Sequence, residues 1–271
     1  MEILTIKMKV IAQNLKRELN ADLYYVGGYV RDMLINVESK DIDCELFNTT
    51  PDEFVSFLNN HNIKFEVDFQ AKFPVYRFKL DGEDIEVGFP RRDNKTGSKH
   101  NDFEIEIDPF MSVKEAARRR DFTFNAIYMN VLTEEIIDPF GGVADMDNRV
   151  LRAVDEKTFK EDPLRLFRAF QFVARFDLDY TEFVKMVDQD FLNETKHTSK
   201  DSMFKEVEKA VHKGKNFMKA LDFLKDSGLL EMYFAPVFKT VGSHQSKVHH
   251  AEGDVWEHTK RVVQAAMNAM M

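Results

Sequence analysis

Apolar residues in the first 90 positions follow two different spacings. From Leu4 to Leu19 they recur every three or four residues, which predicts an amphipathic helix over residues 3–19. Five shorter apolar runs have the length and composition of β-strands. These runs begin near Leu23 and Asp41 and cover Ile63 to Phe69, Val75 to Leu80 and Ile85 to Phe89. The pattern therefore predicts a mixed sheet with helices packed on it.

Two local signals set the connections in this region. Thr50-Pro51 precedes D-E-F-V-S-F-L and predicts a helix, because proline is favoured in the first helical turn. Asp81-Gly82, between two predicted strands, predicts a hairpin turn. Both signals are consistent with a sheet that is built largely from neighbouring strands.

Beyond residue 110 the pattern changes from strand to helix. Ser112 and Glu115 have the spacing of a capping box, which predicts the start of a short helix. A hairpin over residues 126–137 is the last strand signal, and helical spacing then dominates, most clearly over residues 161–176. We therefore predict an α+β fold. Its predicted segments are a mixed-sheet head over residues 1–148, a helical neck and body over 149–235, and a helical remnant over 236–271.

Composition narrows the class of protein without identifying it. With 44% hydrophobic and 31% charged residues, the 271-residue chain has an ordinary globular composition. No apolar run is long enough to span a bilayer, and the N-terminus lacks the apolar core of a signal peptide, so we expect a cytoplasmic protein. The single cysteine, Cys44, excludes an internal disulfide framework and a cysteine-rich zinc site.

The distribution of charged residues along the chain is a better guide to nucleic-acid binding than the net charge. A net charge of −9 disfavours nucleic-acid binding, because affinity for phosphate comes from lysine and arginine. The positive charges are nevertheless clustered. They group in a polar loop predicted from Arg91 to Asp102, in the consecutive Arg118 to Arg120, and among seven lysines between Lys196 and Lys219. These local clusters leave nucleic-acid binding open.

The first candidate chemistry lies on the predicted strand that opens with Asp41 and Asp43. Residues two apart on a strand point to the same side, so these carboxylates share a face. They repel each other unless a cation lies between them, and Mg²⁺ commonly binds one or two carboxylates together with phosphates. The preceding Gly27-Gly28 turn would let backbone N–H groups approach a phosphate. Taken singly, the two patterns have plainer alternatives, a solvated strand edge and a simple turn.

The order of these patterns is more specific than either alone. G-G-Y-V-R-D over residues 27–32, followed by K-D-I-D over 40–43, resembles the head of the nucleotidyltransferase superfamily, specifically the bacterial tRNA nucleotidyltransferase and poly(A) polymerase group. Further motifs follow in that family's order. They are P-R-R-x-x-K-T-G from Pro90, R-R-D-F-T-F-N-A-I from Arg119, D-P-F-G-G from Asp138 and E-D-P-L-R-L-F-R from Glu161. Gln171, where many members have arginine, is a weak departure.

The resemblance implies a catalytic metal site in the head. Asp41 and Asp43 would bind two Mg²⁺ ions, and Glu86 would be the third acidic ligand. Without the resemblance, Glu86 would be interpreted as a polar residue on the solvent face of its strand. In the resembled enzymes, the loop that corresponds to residues 91–102 takes part in the switch from C to A addition.

The resemblance also implies a nucleotide site. Arg119 and Arg120 would hold the triphosphate and Asp121 the ribose, roles that suit a guanidinium fork and a carboxylate acceptor. Asp162 and Arg165 would act as an amino-acid template for the bases of CTP and ATP. Three apart on a helix, these two would otherwise be interpreted as a surface salt bridge. The predicted nucleotide-binding residues are Gly27, Gly28, Arg31, Arg119, Arg120, Asp121, Asn125, Asp162, Arg165 and Arg168.

The activity implied is template-independent addition of C and A to the 3′ end of tRNA, with tRNA received by the helical neck and body. Alternatives within the class are a poly(A) polymerase, or an enzyme that adds only CC or only A. From another class, the chain could be a non-enzymatic RNA-binding relic. The joint presence of acidic and template motifs argues against the relic, which has no chemical need for both.

The last stretch resembles the entrance to the HD phosphohydrolase domain that some bacterial members carry. It contains His249, His250 and His258, but no H-D pair follows before Met271. We therefore expect no phosphohydrolase activity and interpret these histidines as structural remnants.

Overall fold

The computed structural model describes residues 2–38, 41–68, 73–95 and 103–270. The chain divides into two compact units, Met1–Met146 and Asp147–Met271. The first unit contains a β-sheet with helices and the second is built from helices, so the predicted α+β class is confirmed. The predicted further division at residue 235 stays a prediction.

The first unit alternates helices and strands from its start. Its elements are α1 (Glu2–Leu19), β1 (Asp22–Val26), α2 (Gly28–Leu34), β2 (Asp41–Phe47), α3 (Pro51–Asn60), β3 (Phe65–Asp68), β4 (Val75–Leu80), β5 (Glu83–Gly88), β6 (Arg91–Lys95), β7 (Phe103–Ile107), α4 (Val113–Arg118), a 3₁₀ turn (Thr123–Asn125), β8 (Tyr128–Asn130), β9 (Ile136–Ile137) and α5 (Gly142–Asp147).

Seven of these strands form one sheet in the order β3-β4-β5-β2-β1-β8-β9. Strands β2 and β5 are parallel, and the other neighbouring pairs are antiparallel. On one face, sheet residues such as Leu46 and Ile85 are fully buried in a core that includes Leu15 of α1 and Leu58 of α3. Because side chains alternate between faces, the residues between the core positions of β2 and β5 lie together on the opposite face.

The two predicted helix starts have the local bonding that the sequence indicates. The Thr50 side chain accepts a hydrogen bond from the Glu53 N–H, and the Glu53 carboxylate accepts one from the Thr50 N–H at 2.9 Å. Ser112 and Glu115 form the same reciprocal pair at the start of α4. Each box pairs backbone N–H groups that have no partner inside the helix.

The predicted loop from Arg91 to Asp102 is wrong over its first five residues, which form strand β6. This strand pairs with β7, and Arg92 lies opposite Glu106 in the register. The Arg92 guanidinium donates to Asp108 Oδ2 at 2.9 Å, and pairing with β7 forms a strand from residues whose β-propensity is low, an effect that is absent from a local window of sequence. The remainder of that prediction, residues 96–102, lies outside the described residues.

The second unit is a succession of helices after residue 147. They are α6 (Glu156–Lys160), α7 (Leu164–Phe176), a 3₁₀ turn (Phe183–Met186), α8 (Gln189–Glu194), a 3₁₀ turn (Thr195–His197), α9 (Lys200–Lys213), α10 (Phe217–Asp226), α11 (Leu229–Tyr233), α12 (Ala235–Phe238) and α13 (Val255–Met270).

Helix α7 lies at the centre of this unit and packs against α9 and α10. Its apolar side is buried, including Leu166, Phe170 and Val173. The end of α10 near Gly228, predicted from the sequence, is observed, and Gly228 has a φ of +83° that favours glycine. Among the helices of the described residues, none is long and apolar enough to cross a membrane.

Candidate active site

Acidic side chains converge where β2 and β5 run side by side. In the register of this parallel pair, Asp43 lies opposite Glu86 and Asp41 lies opposite Asp84. Asp41 and Asp43 share a face because they are two residues apart on the strand, and Glu86 is on that same face beside Asp43. The structure therefore brings the three predicted acidic residues onto one face of the sheet.

The crowding of these carboxylates changes the protonation of Asp43. Burial, and then the negative charge of Glu86, raise the pKa of Asp43 to about 6, and Asp41 adds to the rise while Arg120 opposes it. A bound cation would relieve this repulsion, and carboxylate oxygens are the donor atoms that Mg²⁺ prefers. The residues present therefore fit a divalent metal ion, with Asp41, Asp43 and Glu86 as candidate ligands.

Arg77 of β4 contacts this acidic group and was not singled out from the sequence. Its Nε donates a hydrogen bond to Glu86 Oε1 at 2.7 Å, and its Nη1 lies 2.8 Å from Asp68 Oδ2. The signal was available, because the turn at residues 81–82 pairs Leu80 with Glu83 and hence Arg77 with Glu86. Glu86 thus already has one cationic partner in the protein.

The start of α2 lies against Arg120. Gly27 has a φ of +65°, and a Cβ at this position would be 2.9 Å from Arg120 Nη1. Any other residue would be strained in its backbone and would displace the guanidinium. Since the charge of Arg120 also acts on Asp43, the structure brings Gly27 and Arg120 into the neighbourhood of the acidic face. A Cβ at Gly28 would lie 3.4 Å from Arg31 Nη2.

Both arginines of the predicted triphosphate site are attached to one buried carboxylate, Glu45. Arg119 Nη2 donates to Glu45 Oε1 at 2.6 Å, and Tyr128 Oη donates to Glu45 Oε2 at 2.6 Å. Arg120 Nη2 lies 3.8 Å from Glu45 Oε2, and Arg120 Nε donates to Tyr128 Oη at 3.2 Å. Glu45 is 3% exposed, whereas the side chains of Arg119 and Arg120 are 21% and 17% exposed.

The electrostatics of Glu45 are opposite to those of Asp43. Burial by itself would raise the pKa of the Glu45 carboxyl, but Arg119, Arg120 and the hydrogen bond from Tyr128 outweigh it and lower that pKa below its usual value. Sequence reasoning missed Glu45, although it follows Asp43 by two positions and so lies on the same face of β2.

A second buried network joins α2 to the 3₁₀ turn. Arg31 Nε donates to Asp32 at 2.8 Å, and Arg31 Nη1 donates to Asn125 Oδ1 at 2.6 Å. Asn125 Nδ2 in turn donates to Asp121 Oδ1 at 3.0 Å. All four side chains are buried. This arrangement holds the turn against α2, and the assignment of Arg31, Asp121 and Asn125 to nucleotide binding stays a prediction.

The predicted template residues lie in the second unit. The sequence pattern placed Asp162 on the helix, but α7 begins at Leu164 and Asp162 precedes it, accepting a hydrogen bond from the Leu164 N–H at 3.0 Å. Short polar side chains favour this position because the first N–H groups of a helix need acceptors. Arg165 Nε lies 3.9 Å from Asp162 Oδ2, and Arg165 Nη1 donates to the Thr158 carbonyl at 2.8 Å. The Arg168 guanidinium lies over Phe172, 5.6 Å from the ring centroid.

The histidines near the end of the chain are not scattered. His250, Glu252 and His258 each offer one ligand atom, and these atoms lie within 4.8 Å of one another, close enough to hold a metal ion. Glu252 also makes a short contact with His258 Nδ1. His249, the third histidine of the sequence analysis, is exposed and outside this group.

Comparisons with known proteins relate the first unit to one family. Residues 23–152 match the model of the poly A polymerase head domain. A "Multifunctional CCA protein" of Haemophilus ducreyi is 30% identical over 249 residues, which cover 90% of this chain and 58% of that protein. A protein of the same description from Stenotrophomonas maltophilia is 37% identical over 154 residues, 57% of this chain and 36% of that protein.

Solved structures with a similar fold include CCA-adding enzymes. The CCA-adding enzyme of Bacillus stearothermophilus, solved in complex with CTP, superposes with a TM-score of 0.71 at 28% identity, covering 89% of this chain and 57% of that one. The chain spans a little over half the length of such relatives. The segment matched by the family model, residues 23–152, contains the acidic face, Glu45, Arg119 and Arg120.

Proposed function

We propose that this protein transfers nucleotides to the 3′ end of tRNA. The premise is that residues 23–152 place the chain in the family of the poly A polymerase head domain. The observation that carries this proposal is the position of Asp43 beside Glu86, on the face shared with Asp41, with Arg120 and Gly27 nearby. An acidic group next to a guanidinium fits a metal-bound triphosphate, because carboxylates bind the metal and a guanidinium matches phosphate oxygens. The proposed product is the CCA end, made from CTP and ATP.

Asp41, Asp43 and Glu86 are the proposed ligands of Mg²⁺. Bound there, the metal would supply polarisation of the attacking 3′-hydroxyl and neutralisation of charge on the triphosphate. The protein's own part is to hold these carboxylates in register through the β2–β5 ladder. The raised pKa of Asp43 supports this assignment, because it reflects burial and then the nearby negative charges of Glu86 and Asp41, which a bound cation would offset.

Arg119 and Arg120 are the proposed triphosphate ligands, with the Gly27-Gly28 main chain beside them. Guanidinium groups keep their charge at all working pH values and match phosphate oxygens in geometry. Asp121 is the proposed ribose contact, with Arg31 and Asn125 holding its position through the buried network. No covalent enzyme intermediate is required, since the 3′-hydroxyl displaces pyrophosphate directly.

Base choice is proposed for Asp162 and Arg165 of the second unit. A carboxylate acceptor and guanidinium donors can pair with the edges of cytosine and adenine as a partner base would. Arg165 is anchored by the Thr158 carbonyl, which restricts the positions its remaining donors can take. The side chain of Asp162 is 42% exposed, so its carboxylate is accessible to a ligand.

The test is incubation of the protein with tRNA that ends before CCA, with Mg²⁺ and each labelled nucleotide in turn. The proposal predicts that CTP is incorporated, that ATP follows C, and that UTP and GTP are poor substrates. Long A tracts would indicate a poly(A) polymerase, and incorporation of only CC or only A a restricted enzyme. Binding of tRNA without incorporation would indicate the relic and contradict the proposal.

A variant pair makes the same assay specific for the site. Asp41→Asn should abolish incorporation, whereas Asp84→Asn should retain it. Asp84 is on the same face of the neighbouring strand and lies opposite Asp41, but it pairs with Lys79 at 3.1 Å. Equal loss in both variants would show that the face contributes only general negative charge.

A further inference from the structure

Glu45 has an arrangement that stability alone does not require. Glu45 is buried, and the side chains that hold its carboxylate are the polar or charged groups of Arg119, Tyr128 and Arg120. Buried ion pairs are poor stabilisers compared with well-packed apolar residues, because desolvation offsets their attraction. A buried carboxylate holding two arginines therefore calls for a functional reason.

We propose that Glu45 is a positioning residue that fixes the guanidinium groups of Arg119 and Arg120 in the orientation in which they meet the triphosphate of the incoming nucleotide. This inference rests on the proposed function and deepens it. It assigns a role to a third acidic position of β2 that differs from the metal-ligand role of Asp41 and Asp43.

The geometry of the donors supports positioning. A guanidinium has five N–H donors in a rigid fork, and the contact with Glu45 uses one Nη2 of Arg119. Arg120 is held at a second point by Tyr128, which also donates to Glu45, so the hydroxyl links the two contacts. The guanidinium of each arginine is thus held from the side of Glu45 and Tyr128, which restricts its orientation.

Position along β2 explains why Glu45 does not serve the metal instead. Its ladder partner in β5 is Gly88, whereas the partner of Asp43 is Glu86. In β1 its partner is Tyr24. No second carboxylate lies opposite Glu45 in either neighbouring strand, and the positive charges next to it occupy its oxygens. A cation would have to displace two arginines to bind there.

Glu45 also has an opposing effect, because its carboxylate competes with phosphate for the guanidinium groups of the two arginines. Competition would dominate if the arginines were mobile and exposed, since the ion pair would then have to break before phosphate binds. Both side chains are mostly buried, so their motion is restricted before a phosphate binds. Fixed donors that lose little freedom on binding favour affinity, so positioning dominates.

The experiment measures binding of CTP and of CMP to the full chain by calorimetry at fixed excess Mg²⁺. Glu45→Gln keeps the size of the side chain and removes its charge. We expect about a tenfold or greater loss of CTP affinity, the size typical of a hydrogen-bonded charged contact. CMP, which lacks the β- and γ-phosphates, should bind within about twofold of wild type because the effect passes through those phosphates. Asp84→Asn, a carboxylate on the same face with a lysine partner, is the matched control and should leave both affinities unchanged.

A double-mutant cycle separates positioning from general damage. If Glu45 acts through Arg119, then Glu45→Gln should add little to the CTP defect of Arg119→Gln, because interacting residues are not additive. Fully additive losses, equal losses for CTP and CMP, or tighter CTP binding in Glu45→Gln would each overturn the inference. If Glu45→Gln fails to fold, Tyr128→Phe keeps the ion pair and removes one hydrogen bond to Glu45. The inference then requires a loss of about threefold for CTP with CMP unchanged, and an unchanged CTP affinity overturns it.

The wild-type titration keeps this inference distinct from the proposed function. If the wild-type protein binds CTP no better than CMP and adds no nucleotide to tRNA, the proposed function fails, and the role of Glu45 fails with it. If wild type binds CTP tightly and adds nucleotide while Glu45→Gln is indistinguishable from it, only the inference fails.

Discussion

Asp43 and Glu45 are two residues apart on one strand and face the same way, yet their surroundings push their protonation in opposite directions. Burial disfavours the charge on both. At Asp43, where burial is the largest cause, the neighbouring charges are mainly carboxylates, and the pKa rises to about 6. At Glu45 they are Arg119 and Arg120, and the pKa falls below its usual value. Because burial acts in the same direction on both carboxyls, the difference comes from the neighbouring charges, which are mainly carboxylates around Asp43 and guanidinium groups around Glu45.

The face of β2 that carries Asp43 and Glu45 therefore has two ends with different electrostatic surroundings. Asp43 carries an electrostatic strain that a cation would relieve, which suits a metal ligand. Glu45 is already balanced by guanidinium groups and can hold them in place. Under the proposed assignments, the D-x-D-x-E strand from Asp41 would supply a cation site and the support of an anion site within a few residues.

The largest effect expected at the acidic end is the loss of activity in Asp43→Asn. A metal ion supplies several kcal/mol of transition-state stabilisation, and each ~1.36 kcal/mol is tenfold in rate, so addition of nucleotide to tRNA should fall about a thousandfold or more. The circular dichroism spectrum should be unchanged, because Asp43 makes no core contact. Turnover near the wild-type rate would contradict the assignment of Asp43 as a metal ligand.

Substitutions at Asp162 and Arg165, which are not on β2, should change nucleotide selectivity and not metal binding. Asp162→Ala or Arg165→Ala should blur the choice of CTP and ATP over UTP and GTP by about tenfold, since an unpaired polar group in a substrate typically costs ~1–3 kcal/mol. Competition assays with mixed nucleotides measure this ratio, and the binding of Mg²⁺ should be unaffected. If either variant keeps full selectivity and loses only thermal stability, Asp162 and Arg165 are an ordinary capping and salt-bridge pair.

The smallest effect concerns Arg77, which partly cancels the charge at the acidic end. Its pair with Glu86 is half exposed, and exposed pairs contribute ~0.2–1 kcal/mol, so Arg77→Gln should tighten binding of Mn²⁺ by no more than about fivefold. Electron paramagnetic resonance of free Mn²⁺ gives the affinity without relying on activity. Lys79→Gln removes the same charge two residues along β4, where the partner is Asp84, and should have less effect. Weaker binding in Arg77→Gln would show instead that Arg77 orients Glu86 for the metal.

Much of this fold follows from local signals. Strands β2, β4 and β5 follow from apolar runs and the Asp81-Gly82 turn, and α3 and α4 from capping residues whose bonds are observed. Strand β6 does not, because its polar and charged residues have low β-propensity and form a strand through pairing with β7. The start of α7 was also misplaced, since periodicity does not distinguish a capping residue such as Asp162 from the first helical turn.

The residues of the candidate site also differ in whether local sequence signals predict them. The shared face of Asp41 and Asp43 follows from strand periodicity, and their neighbour Glu86 was expected only through the family resemblance. Glu45 and Arg77 were missed because their roles depend on residues that are distant in sequence, as Arg119 is from Glu45. Such contacts are set by the sheet order and register, which no single motif contains.

The opposite signs at the two ends of β2 predict opposite effects of pH on stability. A carboxyl whose pKa is raised in the folded protein destabilises it as pH rises from the unfolded value toward the folded one. For Asp43 this window runs from 3.8 to about 6, and the rise corresponds to about 3 kcal/mol at ~1.36 kcal/mol per pKa unit. For Glu45 the sign is reversed, because a lowered pKa stabilises the folded protein above the usual value of 4.5 and this contribution is lost as pH falls below it.

The most direct test is the free energy of unfolding of the metal-free protein between pH 4 and pH 7.5, by chemical denaturation of the wild type, Asp43→Asn and Glu45→Gln. At pH 7, Asp43→Asn should be more stable than wild type by up to about 3 kcal/mol, and this gain should disappear toward pH 4. Glu45→Gln should be less stable at pH 7 by about 3–5 kcal/mol, the cost of breaking a buried ion pair, and should approach wild type as pH falls below 4.5. The same sign of change in both variants at pH 7 would contradict the division of this strand into a cation end and an arginine end.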